Sequence, residues 1–269
     1  MDNTQANEIK QLDARIADLS KRSLSGEVGI SVFLSPSQQA LSRQILMRQG
    51  VIHRAAFFGG YADAERKRIF ILPSYADDFD GTPEQKLIEY FSDEVLNSVQ
   101  ALLITGSGYR ELSHRDYLGS LLSVGIERDV LGDIVVVDER SAVIFCSGKI
   151  SEFIKISLSR VSNDCVTVCA YEPDENFSAK REYKQISATV ASCRLDCVVS
   201  ALTGLSREKT QELIRHELCQ LNHLTECRCD LALDAPCVIS VRGYGKYILR
   251  EFNGLTKKGR MRMLADKYI

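Results

Sequence analysis

No run of about eighteen apolar residues occurs in the 269-residue chain, so nothing in it reads as a membrane-spanning helix. The opening stretch MDNTQANEIK lacks both the basic start and the apolar core of a secretory signal peptide, and a cytoplasmic location is expected. Net positive charge is lacking as well: the formal balance is −2, which does not by itself announce a nucleic-acid binder. Among nine cysteines there is no C-x-x-C spacing. The pairs Cys193/Cys197 and Cys227/Cys229 therefore make a poor zinc ligand set, and the cysteines are expected as free thiols, with no metal and no cofactor.

What is present suits an ordinary globular protein of two or three domains, with 45% hydrophobic and 26% charged residues. Charge is unevenly spread. From Arg250 to Ile269 the chain carries Arg250, Lys257, Lys258, Arg260, Arg262 and Lys267 against Glu251 and Asp266. Affinity for a phosphate backbone follows local cation density, so this uneven spread matters more than the sum.

Up to about Gln49 the pattern is helical: Ile9, Leu12, Ile16 and Leu19 recur at helical spacing, and Pro36 opens a second helix. Two strand-like runs follow, VIHRAAFF, with His53 as a strand residue, and RIFIL. Glu65 to Arg68 between them read most simply as a solvated turn, with an RNA or protein contact as the alternative. After the turn-rich joint YADDFDGTPEQ a second domain is expected. Its elements alternate as strand 101–105, helix 114–124, strands 133–137 and 142–146, helix 150–160 and strand 165–170. That βαββαβ order is the ferredoxin-like arrangement shared by the RNA-recognition fold. The aromatic base-stacking signature is missing, since the third strand offers Val143, Ile144, Phe145 and Cys146. The tripeptide His114-Arg115-Asp116 also occurs in kinase catalytic loops, but the Asn, Gly-rich loop and Lys of that pattern are not placed with it. Ser113 with Asp116 is better read as a helix-capping pair.

The stretch RLDCVVSALTGLSREKTQELIRHELCQLN, from Arg194 to Asn222, reads as two short helices followed by a strand. Leu195, Val198, Val199 and Leu202 form one apolar stripe. Ser206 is an N-cap, and Arg207, Gln211 and Arg215 stack at i, i+4 and i+8. This stretch, with the later strand ending in Arg242-Gly243, resembles the RNA-binding domain first described in small-subunit ribosomal protein S-four. Arg194, Leu195, Asp196, Ser206, Arg207, Ile214 and Asn222 fall on its motif. The family usually has Gly where Glu217 stands, and Gly-Asp at Pro236 and Cys237.

The segments FFGGYADAER, SHRDYLGSLLSVGIERDVLGDI, RLDCVVS, SVRGYGKY and TKKGR, in this order, resemble the bacterial YlmH family over nearly the whole chain. The resemblance implies an α+β protein with a helical and β N-terminal region (1–80), an RNA-recognition-like domain (81–172) and an S-four-type domain (189–250); the polar run after Pro173 reads as a linker (173–188) and the cation-rich end as a basic tail (251–269). For the linker, an ordered strand around Tyr183–Val190 is the alternative. The resemblance also implies binding to the large ribosomal subunit carrying a stalled peptidyl-tRNA, and a part in ribosome-associated quality control by alanine tailing. No membrane and no small-molecule substrate are expected. The family brings no catalytic residues.

The RNA-binding reading assigns Arg194, Arg207, Lys209 and Arg215 to phosphates and counts Ser206 with them. Asn222 holds a turn or a sugar; Arg242, Lys246 and Arg250 extend the surface; Lys257, Lys258, Arg260 and Arg262 complete it. The alternative is an RNA-modifying enzyme. Arg194-Leu195-Asp196 matches the R-L-D of pseudouridine synthases but lacks their Thr-Ser-Gly, and Thr105 to Arg110 makes a weak methyltransferase loop.

Overall fold

Ser35 begins the second helix with a reciprocal capping box to Gln38, and Pro36 stands at its first position. The computed structural model describes residues 3–179 and 181–269. They divide into two units, Met1–Lys180 and Arg181–Ile269.

In the first unit α1 (Asn3–Leu24), β1 (Gly29–Ile30), α2 (Pro36–Arg48), β2 (Ala55–Phe58) and β3 (Arg68–Ile71) come first. The helices α3 (Pro83–Tyr90) and α4 (Ser92–Ser98) follow, then β4 (Gln100–Gly106), α5 (His114–Ser123), β5 (Leu131–Asp138), β6 (Ser141–Cys146), α6 (Gly148–Ser157), β7 (Arg160–Val161) and β8 (Asp164–Tyr171). One sheet has the order β1-β3-β2 and a second the order β5-β6-β4-β8-β7, all antiparallel. Alternation along the strands sets four layers. Ile16, Leu46, Phe57 and Ile69 join α1 and α2 to one face of the small sheet. Ala56, Phe70 and Leu72 on its other face share a core with Ala101, Val143 and Phe145 of the large sheet. Leu102, Ile104 and Ile144 turn the opposite way, onto Tyr117, Leu121 and Ile154 of α5 and α6.

Residues 1–80 therefore do not stand apart from the middle domain, because Phe33, Phe70, Leu87 and Phe145 belong to one core across the expected boundary. Gly60, in FFGGY, sits at a φ of +106°, and a Cβ there would collide with the Phe145 ring. The cations of ADAERKR are also not a solvated turn. Arg66 Nη2 donates to the carbonyls of Phe33 and Arg128 at 3.0 and 3.1 Å, and Arg68 Nη1 donates to Ser98 at 2.6 Å. Asp133 receives the Tyr61 hydroxyl at 2.7 Å and the Arg66 amide at 2.9 Å. This turn is the polar bolt between the layers. His53 lies in a 3-10 turn, Ile52–Arg54, that precedes β2.

The second unit runs β9 (Tyr183–Val190), α7 (Leu195–Thr203), α8 (Arg207–Arg215), β10 (Cys219–Leu221), β11 (Leu224–Thr225), β12 (Cys237–Val241), β13 (Gly245–Leu255) and β14 (Met261–Tyr268). Its six strands have the order β11-β10-β12-β13-β14-β9. Leu195, Val198, Val199, Leu202 and Ile214 of the helices bury against Ile239, Val241, Tyr247, Leu249, Met263 and Ala265 on one face of this sheet. Each large apolar side chain buried there contributes roughly 1.5–3 kcal/mol.

Two expected segments differ. The linker, 173–188, gives way at Tyr183 to β9, which is the ordered strand held as its alternative, and the 251–269 tail is the end of β13, a hairpin tip and β14. The physical reason is the period-2 pattern: Met261, Met263 and Ala265 alternate inward between β13 and β9, while Arg262 among them faces outward.

Candidate nucleic-acid interface

Asp196 is fully buried, yet three donors end on its carboxylate. Arg194 Nε donates to Oδ1 at 3.2 Å, Arg207 Nε to Oδ2 at 3.0 Å and Gln211 Nε2 to Oδ2 at 2.8 Å. Burial by itself raises the Asp196 carboxyl, but the bonds from Gln211, Arg207 and Arg194 and the Arg207 charge outweigh it and hold the group at about 2. The arginine side chains remain 39% and 55% exposed. One buried anion thus orients two guanidiniums whose outer donors still face water, a geometry suited to phosphate oxygens.

Local chain chemistry builds this hub. Asp196 lies in the first turn of α7, whose leading amides are satisfied by a loop rather than by a side-chain cap: Leu195 N–H donates to Leu231 and Asp196 N–H to Cys229. Gly204, at a φ of +75°, ends α7 in the left-handed conformation. Ser206 then starts α8, its hydroxyl accepting from the Lys209 amide. The i, i+4, i+8 ridge of α8 places Arg207, Gln211 and Arg215 along the side that faces Asp196, while Thr210 and Ile214 point into the core. Arg242 follows β12, and its amide donates to Leu218 just beyond α8, at the Arg215 end of the ridge.

The remaining assigned residues do not join this ridge. Lys209 is about 200° around α8 from Arg207, with Glu208 and Glu212 in the sector between it and Arg215. Ser206 is occupied as a cap, and Asn222, at a φ of +48°, holds a turn by accepting the Val238 amide at 2.9 Å. Lys246, Arg250 and Arg262 alternate with Tyr247, Leu249 and Met263, so they lie on the sheet face away from α7 and α8. There Arg250 pairs with Asp266 at 2.7 Å, and Lys246 Nζ lies 4.6 Å from the centre of the Tyr268 ring. Lys257, Lys258 and Arg260 form the tip of the β13–β14 hairpin, with the Arg260 side chain donating to the Thr189 carbonyl at 2.8 Å. The expected single cationic surface is therefore divided between a helical ridge, an outer sheet face and a hairpin tip. Strand alternation is the cause.

In the first unit the sheet face on which an RNA-recognition fold stacks bases is covered: Val143 and Phe145 are buried beneath Phe33, Tyr61 and Phe177. Residues 102–175, spanning β4 to just beyond β8, match the family model described as "Putative RNA-binding domain in YlmH". Over this stretch the chain is similar to YlmH.

It is 27% identical over 236 residues to the Bacillus subtilis (strain 168) protein named ribosome-associated protein quality control protein P2, an alignment covering 87% of this chain and 85% of that one. A solved structure named cell division protein ylmH from Streptococcus pneumoniae has a TM-score of 0.48 and 18% identity, covering 64% of this chain and 93% of that one. Reading the sequence residue by residue missed two features of this surface. Gln211 completes the Asp196 hub, and its place between Arg207 and Arg215 was the available signal. Arg228, 68% exposed and paired with Glu226 at 2.9 Å, belongs to the loop that supplies carbonyls to the start of α7; nothing in its spacing pointed to it. Among the described residues no group of three or more His, Cys, Asp or Glu side chains could hold a metal ion.

Proposed function

We propose that this YlmH relative is an RNA-binding factor that acts by binding rather than by catalysis, on the large ribosomal subunit in ribosome-associated quality control. In this reading it lies in the cytoplasm and contacts ribosomal RNA together with peptidyl-tRNA, supporting alanine tailing of the stalled chain. The B. subtilis relative's name and the RNA-binding family model support the cellular context. The observation that carries the molecular role is the ridge Arg194, Arg207 and Arg215, two of whose guanidiniums are preset by buried Asp196. We read residues 181–269 as an S-four-type domain whose sheet is extended by flanking strands, and the β4–β8 portion as an RNA-recognition-like domain.

Preset guanidiniums on a helical surface recognise phosphate spacing rather than base edges, so selectivity is for folded RNA shape. Asp196 argues against a modifying enzyme that would do chemistry with this aspartate, since its oxygens are buried and taken by three donors. The test is a salt titration of binding to purified large subunits. With four phosphate contacts, from the ridge and Arg242, the log–log slope is about −3 by the counterion rule. A slope near zero contradicts the phosphate-gripping role.

A further inference from the structure

Between Ser74 and Ser98 the chain carries seven carboxylates and one cation, Lys86, whose Nζ is turned onto the Ala76 carbonyl at 2.8 Å. This is the reverse of what an RNA-facing surface needs, because phosphates are repelled from it. The same segment leaves large apolar side chains in water. Tyr75 is 50% and Tyr90 47% exposed, and Ile88 and Leu96 on the two short helices are 58% and 64% exposed. Four rings form a contiguous group: Phe79 lies 4.4 Å from Tyr90 and 6.2 Å from Tyr75, centre to centre, and Tyr75 lies 6.2 Å from Phe91. Phe79 and Phe91 anchor the group to the core, so the exposed rings of Tyr75 and Tyr90 are held in place.

Charge and rings coincide in space. Asp80 and Glu89 are the chain neighbours of Phe79 and Tyr90, whose rings lie 4.4 Å apart, and the charge of Glu89, partial desolvation, a hydrogen bond with Glu89 and the Asp80 charge push the Tyr90 phenol up. Fixed aromatic faces rimmed by carboxylates attract a guanidinium twice, by its charge and by stacking of its planar group. Nucleic acid and anionic lipid are both disfavoured by the same carboxylates.

We propose that the Tyr75–Phe79–Tyr90 group, with Asp80 and Glu89, docks an arginine- and lysine-rich segment of another protein. This surface is separate from the Asp196 ridge, so its failure leaves the RNA reading intact, and the converse also holds.

The experiment uses the full chain and a fluorescein-labelled peptide of alternating arginine and glycine, read by anisotropy at physiological salt, with a glutamate–glycine peptide as control. Asp80→Lys with Glu89→Lys is expected to weaken the arginine peptide about tenfold or more, as expected for reversing two charges. Tyr90→Ser weakens it roughly three- to fivefold, the size of one exposed cation–π contact, and Tyr90→Phe restores it. Large-subunit binding by the same variants stays unchanged. No binding of the arginine peptide by the wild type, or equal binding by wild type and the charge-reversed variant, overturns the proposal. A concentration-dependent dimer in sedimentation that the charge reversal abolishes also overturns it, by making a second copy of this chain the occupant.

Discussion

Asp196 has two duties, and its chemistry shows which dominates at each pH. Its folded carboxyl sits at about 2, below the 3.8 of an unperturbed aspartate, so its contribution to stability is fully present above roughly pH 4 and is lost as pH falls toward 2. That shift corresponds to about 2 kcal/mol. Asp196→Asn is therefore expected to be less stable than wild type by about 2 kcal/mol in urea denaturation at neutral pH. The gap should close on acidification, because protonated Asp and Asn make similar partners. A gap that persists unchanged at pH 2 would mean that the hub is not held by the ionised carboxylate.

A second residue shows the cost of departing from a motif. Glu217 stands where the S-four-type family usually has Gly, and its φ is +61°. An L-residue in that left-handed conformation is strained by roughly 1–2 kcal/mol, partly offset by the freedom a glycine regains on unfolding. Glu217→Gly should thus raise stability by about 0.5–1 kcal/mol, read as a higher urea midpoint with an unchanged slope.

Among the elements, β14 is the one whose nature the charge pattern disguised. Its exposed Arg262 and the preceding Lys257, Lys258 and Arg260 suggested a free basic tail, whereas Met261, Met263 and Ala265 bind it between β13 and β9. Its place inside the sheet makes a sharp prediction. Deleting residues 261–269 exposes the edges of two long strands and removes part of the core, so the truncated chain should lose amide protection throughout β9 and β13 in hydrogen exchange. Protection retained in both strands would restore the tail description. The helices were easier to read. Periodicity alone located α7 and α8, because their apolar stripes and the Ser206 cap are local features. The faces of β13 and β14 depended on pairing partners far away in sequence, and the docking of Arg66 and Arg68 onto distant carbonyls has no local signature at all.

For the molecule as a whole, the division of cations among three surfaces replaces a single basic patch. The sequence located every cation but not its side of the sheet, since only the folded register decides which alternate residues turn toward α7 and α8. The sheet of β4 to β8 tells a similar story. The succession of its main strands and helices along the chain was readable, while its burial under Phe33 and Tyr61 required the N-terminal layers to be in place. In the proposed reading binding depends on one ridge, and the outer face of the C-terminal sheet should contribute little.

Arg215 and Arg262 separate these surfaces most cleanly, because both are exposed and neither belongs to the Asp196 hub. The decisive measurement is the affinity for purified large ribosomal subunits, by co-sedimentation at fixed salt, of wild type, Arg215→Glu and Arg262→Glu. Reversing Arg215 should weaken binding about tenfold, while reversing Arg262 should leave it within about twofold. Equal affinities for wild type and Arg215→Glu, or a larger loss at Arg262, would contradict the claim that the helical ridge grips the RNA.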